Sequence, residues 1–301
     1  MNAGVSALIF DEPVTKEEAL LFCKTCRDFL TDFSKGMDVN VEDYLTPDKS
    51  LRNLTLQNIF LQIIKSATNT GRKSNTIEFS NRRDPQRKNK ILQAISGIPN
   101  LADENAGFTD QQIKGILCRL KELDVARSLA NLKSAQVIKT ERTNFWEGWL
   151  RSVKDAASFV LTYASGKEFS DFFGQFHGRS LILGPYFLSQ QIYGIGFALA
   201  CDVLKDLGAS ELIKPDTHIK KVFYGLSLVK KHSDEAVLDA AVRLVEQANE
   251  ARQPENPEIT PFQLDKMIWL CCSGTFYKTP GLKKPGQKEK LIARLRKALG
   301  R

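Results

Sequence analysis

The chain lacks any long apolar run. Across its 301 residues no uncharged span approaches the ~20 residues a helix needs to cross a bilayer, so a membrane-spanning protein is not expected. The opening MNAGVSALIFDEPVTKEEAL has no basic segment leading into an apolar stretch, so no secretory leader is expected either. Internal repeats and low-complexity tracts are absent. Nothing reads as a succession of alternating strands. Cysteine is sparse, six in all, and in the expected cytoplasmic or nuclear setting these thiols stay reduced. Cys23 and Cys26 form a C-x-x-C, but the only other close pair is Cys271-Cys272. Adjacent cysteines chelate poorly and i, i+3 spacing on a helix suits burial equally, so no metal is expected.

What remains is an ordinary globular composition, 42% hydrophobic and 26% charged, in a chain long enough to bury a substantial core. The net charge of +8 favours polyanionic partners such as nucleic acid.

Helical signals run along the whole length. Thr15-Lys16-Glu17-Glu18 is a capping box opening a helix through Phe33, with Leu20, Leu21, Phe29 and Leu30 on its apolar side. Residues 35–50 read as loop. A second helix, Leu54 to Ala67, buries Leu56, Ile59, Phe60, Ile63 and Ile64. The basic stretch from Arg72 to Lys90 suits either a phosphate backbone or a solvated loop. A short apolar helix over Ile91 to Ile95 follows, then a capped start at Thr109/Gln112 and helices near 124–135, 143–163 and 167–176. Ser233 and Thr260-Pro261 open two later helices, and Leu291, Ile292, Leu295 and Leu299 share one face of a basic terminal helix. The fold class is all-α.

The chain is organised around residues 192–224, IYGIGFALACDVLKDLGASELIKPDTHIKKVFY. Gly194-Ile195-Gly196 interrupts an apolar, helix-like pattern, and glycine's access to positive φ allows a tight turn between two helices. The isoleucine between the glycines can point inward and lock the turn. Backbone amides near Gly196 to Ala198, at the start of the second helix, then face outward as an anion site suited to phosphate. That helix runs to about Leu207, with Gly208 at its end. Asp216, after Lys214-Pro215, reads as an N-cap for a third helix over residues 217–227.

These residues, I-Y-G-I-G, an apolar helix and then K-P-D-T-H in this order, resemble the helix-hairpin-helix DNA glycosylases, the superfamily of endonuclease III, the mismatch adenine glycosylase and the alkyladenine glycosylases. The likeness covers about 35 residues well and extends weakly over much of 50–280. It implies a two-lobed helical bundle with a helix-hairpin-helix motif. Residues 51–212 would form a helical barrel lobe ending in the hairpin, and residues 1–50 plus 213–301 a second lobe. Bifunctional members carry a lysine two residues after the second hairpin glycine; Ala198 stands there in this chain and offers no amine. The four-cysteine run of the iron–sulfur members is also missing from the region of Gly281 to Lys284, so no cluster and no other cofactor is expected.

What the resemblance implies is a monofunctional enzyme acting on damaged or mismatched double-stranded DNA as a monomer. Asp216 is the catalytic residue. Gly194, Gly196 and Ala198 hold the DNA backbone, helped by Lys220 and Lys221, and Tyr193, Phe197 and Tyr186 are candidates to line the base pocket or stack. Thr68 or Asn69, at the end of the second helix, is the candidate wedge for the gap left by a flipped base, beside the plain reading of a helix stop. The alternatives are a non-catalytic helix-hairpin-helix DNA-binding protein and a helical scaffold whose hairpin packs on protein. The base itself is not specified.

Overall fold

The computed structural model describes residues 14–48, 50–69, 84, 86–138, 143–279 and 281–301. Among them it holds fourteen α-helices and no strand. Among the described residues an isolated antiparallel bridge joins Thr275 and Lys283. No described helix is long and apolar enough to cross a membrane. Contacts divide the chain into two compact units, Met1–Asp48 with Ala209–Arg301, and Lys49–Gly208.

The Lys49–Gly208 unit is built on α3 (Leu56–Ala67), whose N-terminus is closed by a Thr55/Asn58 capping box. The earlier helix α1 (Lys16–Ser34) and α2 (Val41–Leu45) belong to the other unit. Every apolar position expected on α3 is buried. It packs against α7 (Thr143–Val160) and α10 (Phe197–Asp206). The Trp149 indole donates to the Ile64 carbonyl at 2.9 Å, so this large core side chain also satisfies its one polar atom. Helices α5 (Asp110–Lys121), α6 (Val125–Ser134) and α9 (Leu183–Gln191) also pack on α7; α8 (Gly166–Phe173) meets it through aromatic rings, and α4 (Arg87–Ser96) packs on α5 and α6. Phe159, Phe169, Phe173 and Phe187 form an edge-to-face and tilted cluster between α7, α8 and α9. Arg72, Lys73, Arg82 and Arg83 of the expected basic stretch lie outside the described residues, and Arg87 to Lys90 open α4.

In the other unit α1 packs on α12 (Asp234–Ala251), α13 (Pro261–Ser273) and α14 (Lys288–Leu299), with α11 (Thr217–Gly225) against α12, α13 and α14. Phe22 of α1 meets Phe223 of α11 edge-on at 6.2 Å. This unit differs from expectation at two places. Leu21 is exposed, because the buried stripe of α1 runs through Ala19, Phe22, Cys23, Cys26, Phe29, Leu30 and Phe33, one helical step away. Within the expected loop 35–50, Asn40 caps the short helix α2, which buries Tyr44 and Leu45. Cys23, Cys26, Cys271 and Cys272 are buried where α1 meets α13. Burial pushes the Cys23 and Cys272 thiols up to about 12 and Cys26 and Cys271 further in the same direction, so all four are protonated core groups.

Candidate functional site

The turn between α9 and α10 has the conformation its glycines suggest. Gly194 lies at φ +75, a left-handed backbone that disfavours any residue with a Cβ. The Ile195 amide donates to the Ile192 carbonyl at 3.1 Å, and Ile195 itself is buried, pinning the turn to the core. Gly196 is the N-cap of α10 and offers no side chain to its first amides. It is exposed, with open space where a Cβ would stand. The first-turn N–H groups of α10 therefore have no side-chain cap from Gly196 and carry the positive end of the helix dipole. A shallow depression of about 540 Å³ covers the turn, bordered by Asp155, Ser189 to Gln191 and Gly194 to Gly196.

Helix α7 holds this turn from below. The Ser152 hydroxyl donates to the Tyr193 carbonyl at 2.6 Å, and the Tyr193 amide donates to Asp155 Oδ2 at 2.9 Å. Arg151 sits 5.8 Å above the Tyr193 ring. These three residues were not legible as part of the site: they lie about forty positions away, and their types are ordinary for a helix surface. Tyr193 is exposed, as are Leu183, Tyr186 and Phe187 on α9. Phe197 is buried and meets the Tyr186 ring at a tilt, centroids 5.0 Å apart, so it supports the turn from the core side. Ala198 is half-buried on the first turn of α10. At the end of α3, Thr68 is buried and its hydroxyl donates to the Lys65 carbonyl at 2.7 Å, whereas Asn69 is exposed. Of the two wedge candidates, Asn69 alone presents its side chain to solvent.

Asp216, Lys220 and Lys221 belong to the other unit. Asp216 is the N-cap of α11, in extended backbone, and its Oδ1 accepts from the His218 amide at 2.8 Å and the Ile219 amide at 3.1 Å. Both cap bonds fall on one oxygen, so Oδ2 is not consumed by the cap. The carboxyl is held above its ordinary range, first by burial and then by the charge of Asp265; the Ile219 hydrogen bond and the Lys214 and His218 charges oppose this. Asp265, on α13, is buried and accepts from the Lys214 amide at 3.0 Å. Lys220 forms an ion pair with Asp234, while Lys221 is exposed. The two lysines, expected to act together on phosphate, thus differ: one is engaged within its own unit.

The structure therefore gathers Tyr193, Gly194, Gly196, Phe197 and Ala198 at one helix junction and sets Asp216 at a separate helix start with a second carboxylate beside it. Among the described residues no group of three or more side chains could hold a metal ion. Compared with protein-family models, curated proteins and solved structures, the chain gives no match.

Proposed function

We propose that this protein is a monofunctional DNA N-glycosylase of the helix-hairpin-helix type, which extrudes a damaged or mismatched base and hydrolyses its N-glycosidic bond with Asp216 and water. The observation that carries the reading is the placement of Asp216, a helix cap that spends only Oδ1 on the cap bonds and has Asp265 near it. A helix cap needs only a neutral oxygen, and serine, threonine or asparagine supplies one. A carboxylate that burial and a neighbouring Asp265 both hold back from ionising is an expensive cap, and such perturbed groups gather at reaction centres.

The chemistry follows from that group. As the bond from C1′ to the base breaks, its electron pair leaves with the base and the sugar gains positive charge. Ionised Asp216 stabilises that charge, and its uncommitted Oδ2 orients a water, takes its proton and lets the oxygen bond C1′. Ala198 supplies no amine, so no Schiff base forms and the product is an intact abasic strand. The first-turn amides of α10, with no side-chain cap from Gly196, and the exposed Gly196 itself suit a backbone phosphate, and exposed Tyr193 and Tyr186 suit stacking on an unpaired base.

The second reading, a non-catalytic DNA-binding protein, draws on the turn alone, since phosphate binding there needs no carboxylate. Both readings require the turn. Gly194→Ala forces a Cβ into left-handed backbone at a cost of roughly 1–2 kcal/mol. Relief of that strain should misplace the α10 amides and weaken duplex binding about tenfold. Fluorescence anisotropy across a salt series checks this, with the wild type showing the steep salt dependence of phosphate contacts. Equal affinity of the two proteins would remove the turn from DNA binding. Release of a base from a lesion-bearing duplex separates the enzyme from the binding module.

A further inference from the structure

The segment that delivers Asp216 to its helix is clamped at two points by the first turn of α13. The Phe262 amide donates to the Ser210 carbonyl at 3.0 Å, and the Lys214 amide donates to Asp265 Oδ1 at 3.0 Å. Between the second clamp and the cap lies only Pro215, and the Asp216 amide closes a tight turn onto the Lys214 carbonyl at 2.7 Å. Movement of Lys214 is therefore passed to Asp216 across one rigid residue. Asp265 is only 4% exposed.

We propose that Asp265 is the positioning residue of Asp216: its carboxylate fixes the backbone that leads into the α11 cap and places a second negative charge beside it. The inference rests on the reading of Asp216 as the reaction-centre carboxylate. Among the described residues, the charged and titratable groups around Asp216 are Asp265 and Cys272 on α13, with Lys214 and His218 on its own segment. From α12, Asp234 is engaged by Lys220, and from α14 Lys288 and Glu289 face Cys272. Among these groups Asp265 is the one that opposes the Asp216 charge most strongly, after burial itself. Its effect is to make the ionised form of Asp216 less comfortable, and so more responsive to a cation forming next to it.

Two variants separate the two parts. Asp265→Asn keeps an oxygen for the Lys214 amide and removes the charge; Asp265→Ala removes both. Carboxyl carbon NMR on the full-length protein, with Asp216 assigned from the Asp216→Asn spectrum, gives the Asp216 titration without any turnover. In Asp265→Asn the midpoint moves down in pH, and the acid limb of base release moves down with it. In Asp265→Ala the Lys214 amide also loses protection from hydrogen exchange. A purely structural Asp265 would leave the Asp216 midpoint where it is in Asp265→Asn, and that result overturns the proposal. If the midpoint falls while the wild type releases no base, the positioning role stands and the glycosylase reading fails.

Discussion

Asp216→Asn is expected to abolish base release, leave DNA binding in place and make the protein more stable at neutral pH. The amide keeps an Oδ1 that can accept from His218 and Ile219, so the α11 cap survives. What it loses is a charge that burial and Asp265 both disfavour. The sign follows from linkage: the folded pKa of Asp216 lies above its unfolded value of ~3.9, so the folded state holds the proton more tightly. Wild-type stability therefore falls, relative to the asparagine variant, as pH rises from the unfolded midpoint through the folded one. Below both midpoints the difference vanishes. Removing a positioned acid–base group costs about 10²- to 10⁴-fold in rate. Thermal melts at pH 3 and pH 7 beside base-release rates check both halves. A variant less stable at neutral pH would show that the carboxylate is there for the fold. Asp216→Ala provides the contrast, since it also loses the cap, worth ~1 kcal/mol.

Lys205→Ala is expected to destabilise the Lys49–Gly208 unit by about 3–5 kcal/mol, the cost of breaking a buried ion pair from one side. The Lys205 side chain is 2% exposed, with Nζ 3.1 Å from Asp206 Oδ1 and 3.6 Å from Asp202 Oδ1. Asp206 keeps Gln62 at 3.2 Å and Lys65 at 3.9 Å, whereas Asp202, only 8% exposed as a residue, loses the cation next to it. Because α10 also carries the amides at the turn, DNA binding should weaken near the unfolding midpoint and remain intact well below it. Urea unfolding of the full chain measures the loss, and the double variant Lys205→Met with Asp202→Asn should recover part of it. An unchanged midpoint in Lys205→Ala would mean that the pair is solvated in solution.

Much of the helical order was legible because its signals are local. Thr15, Thr109, Ser233 and Thr260 each cap the helix they precede, and three of them close a full capping box. Asp216 was legible for the same reason, as a short polar acceptor after proline at a helix start. The errors came where local signals compete. The short α2 has too few residues for a periodic pattern, and Leu21 against Phe22 is a choice of helical phase that only packing decides. The site's support was hidden for a different reason. Ser152 lies 41 residues from Tyr193, Asp155 lies 38, and Asp265 lies 51 from Lys214. Each is one polar residue on a helix until the fold brings it to its partner, and no spacing rule spans such distances.

The most direct measurement is base release with protein in excess. Duplexes each carrying one alkylated purine, oxidised purine, mismatched adenine or uracil are incubated with the wild type and with Asp216→Asn, then heated in alkali. The account predicts a cut at one lesion, present only after alkali and only with the wild type, since hydrolysis without a hairpin lysine leaves the abasic strand whole. No cut at any lesion, with salt-sensitive binding intact, would contradict the hydrolytic role of Asp216 and leave a DNA-binding protein in its place.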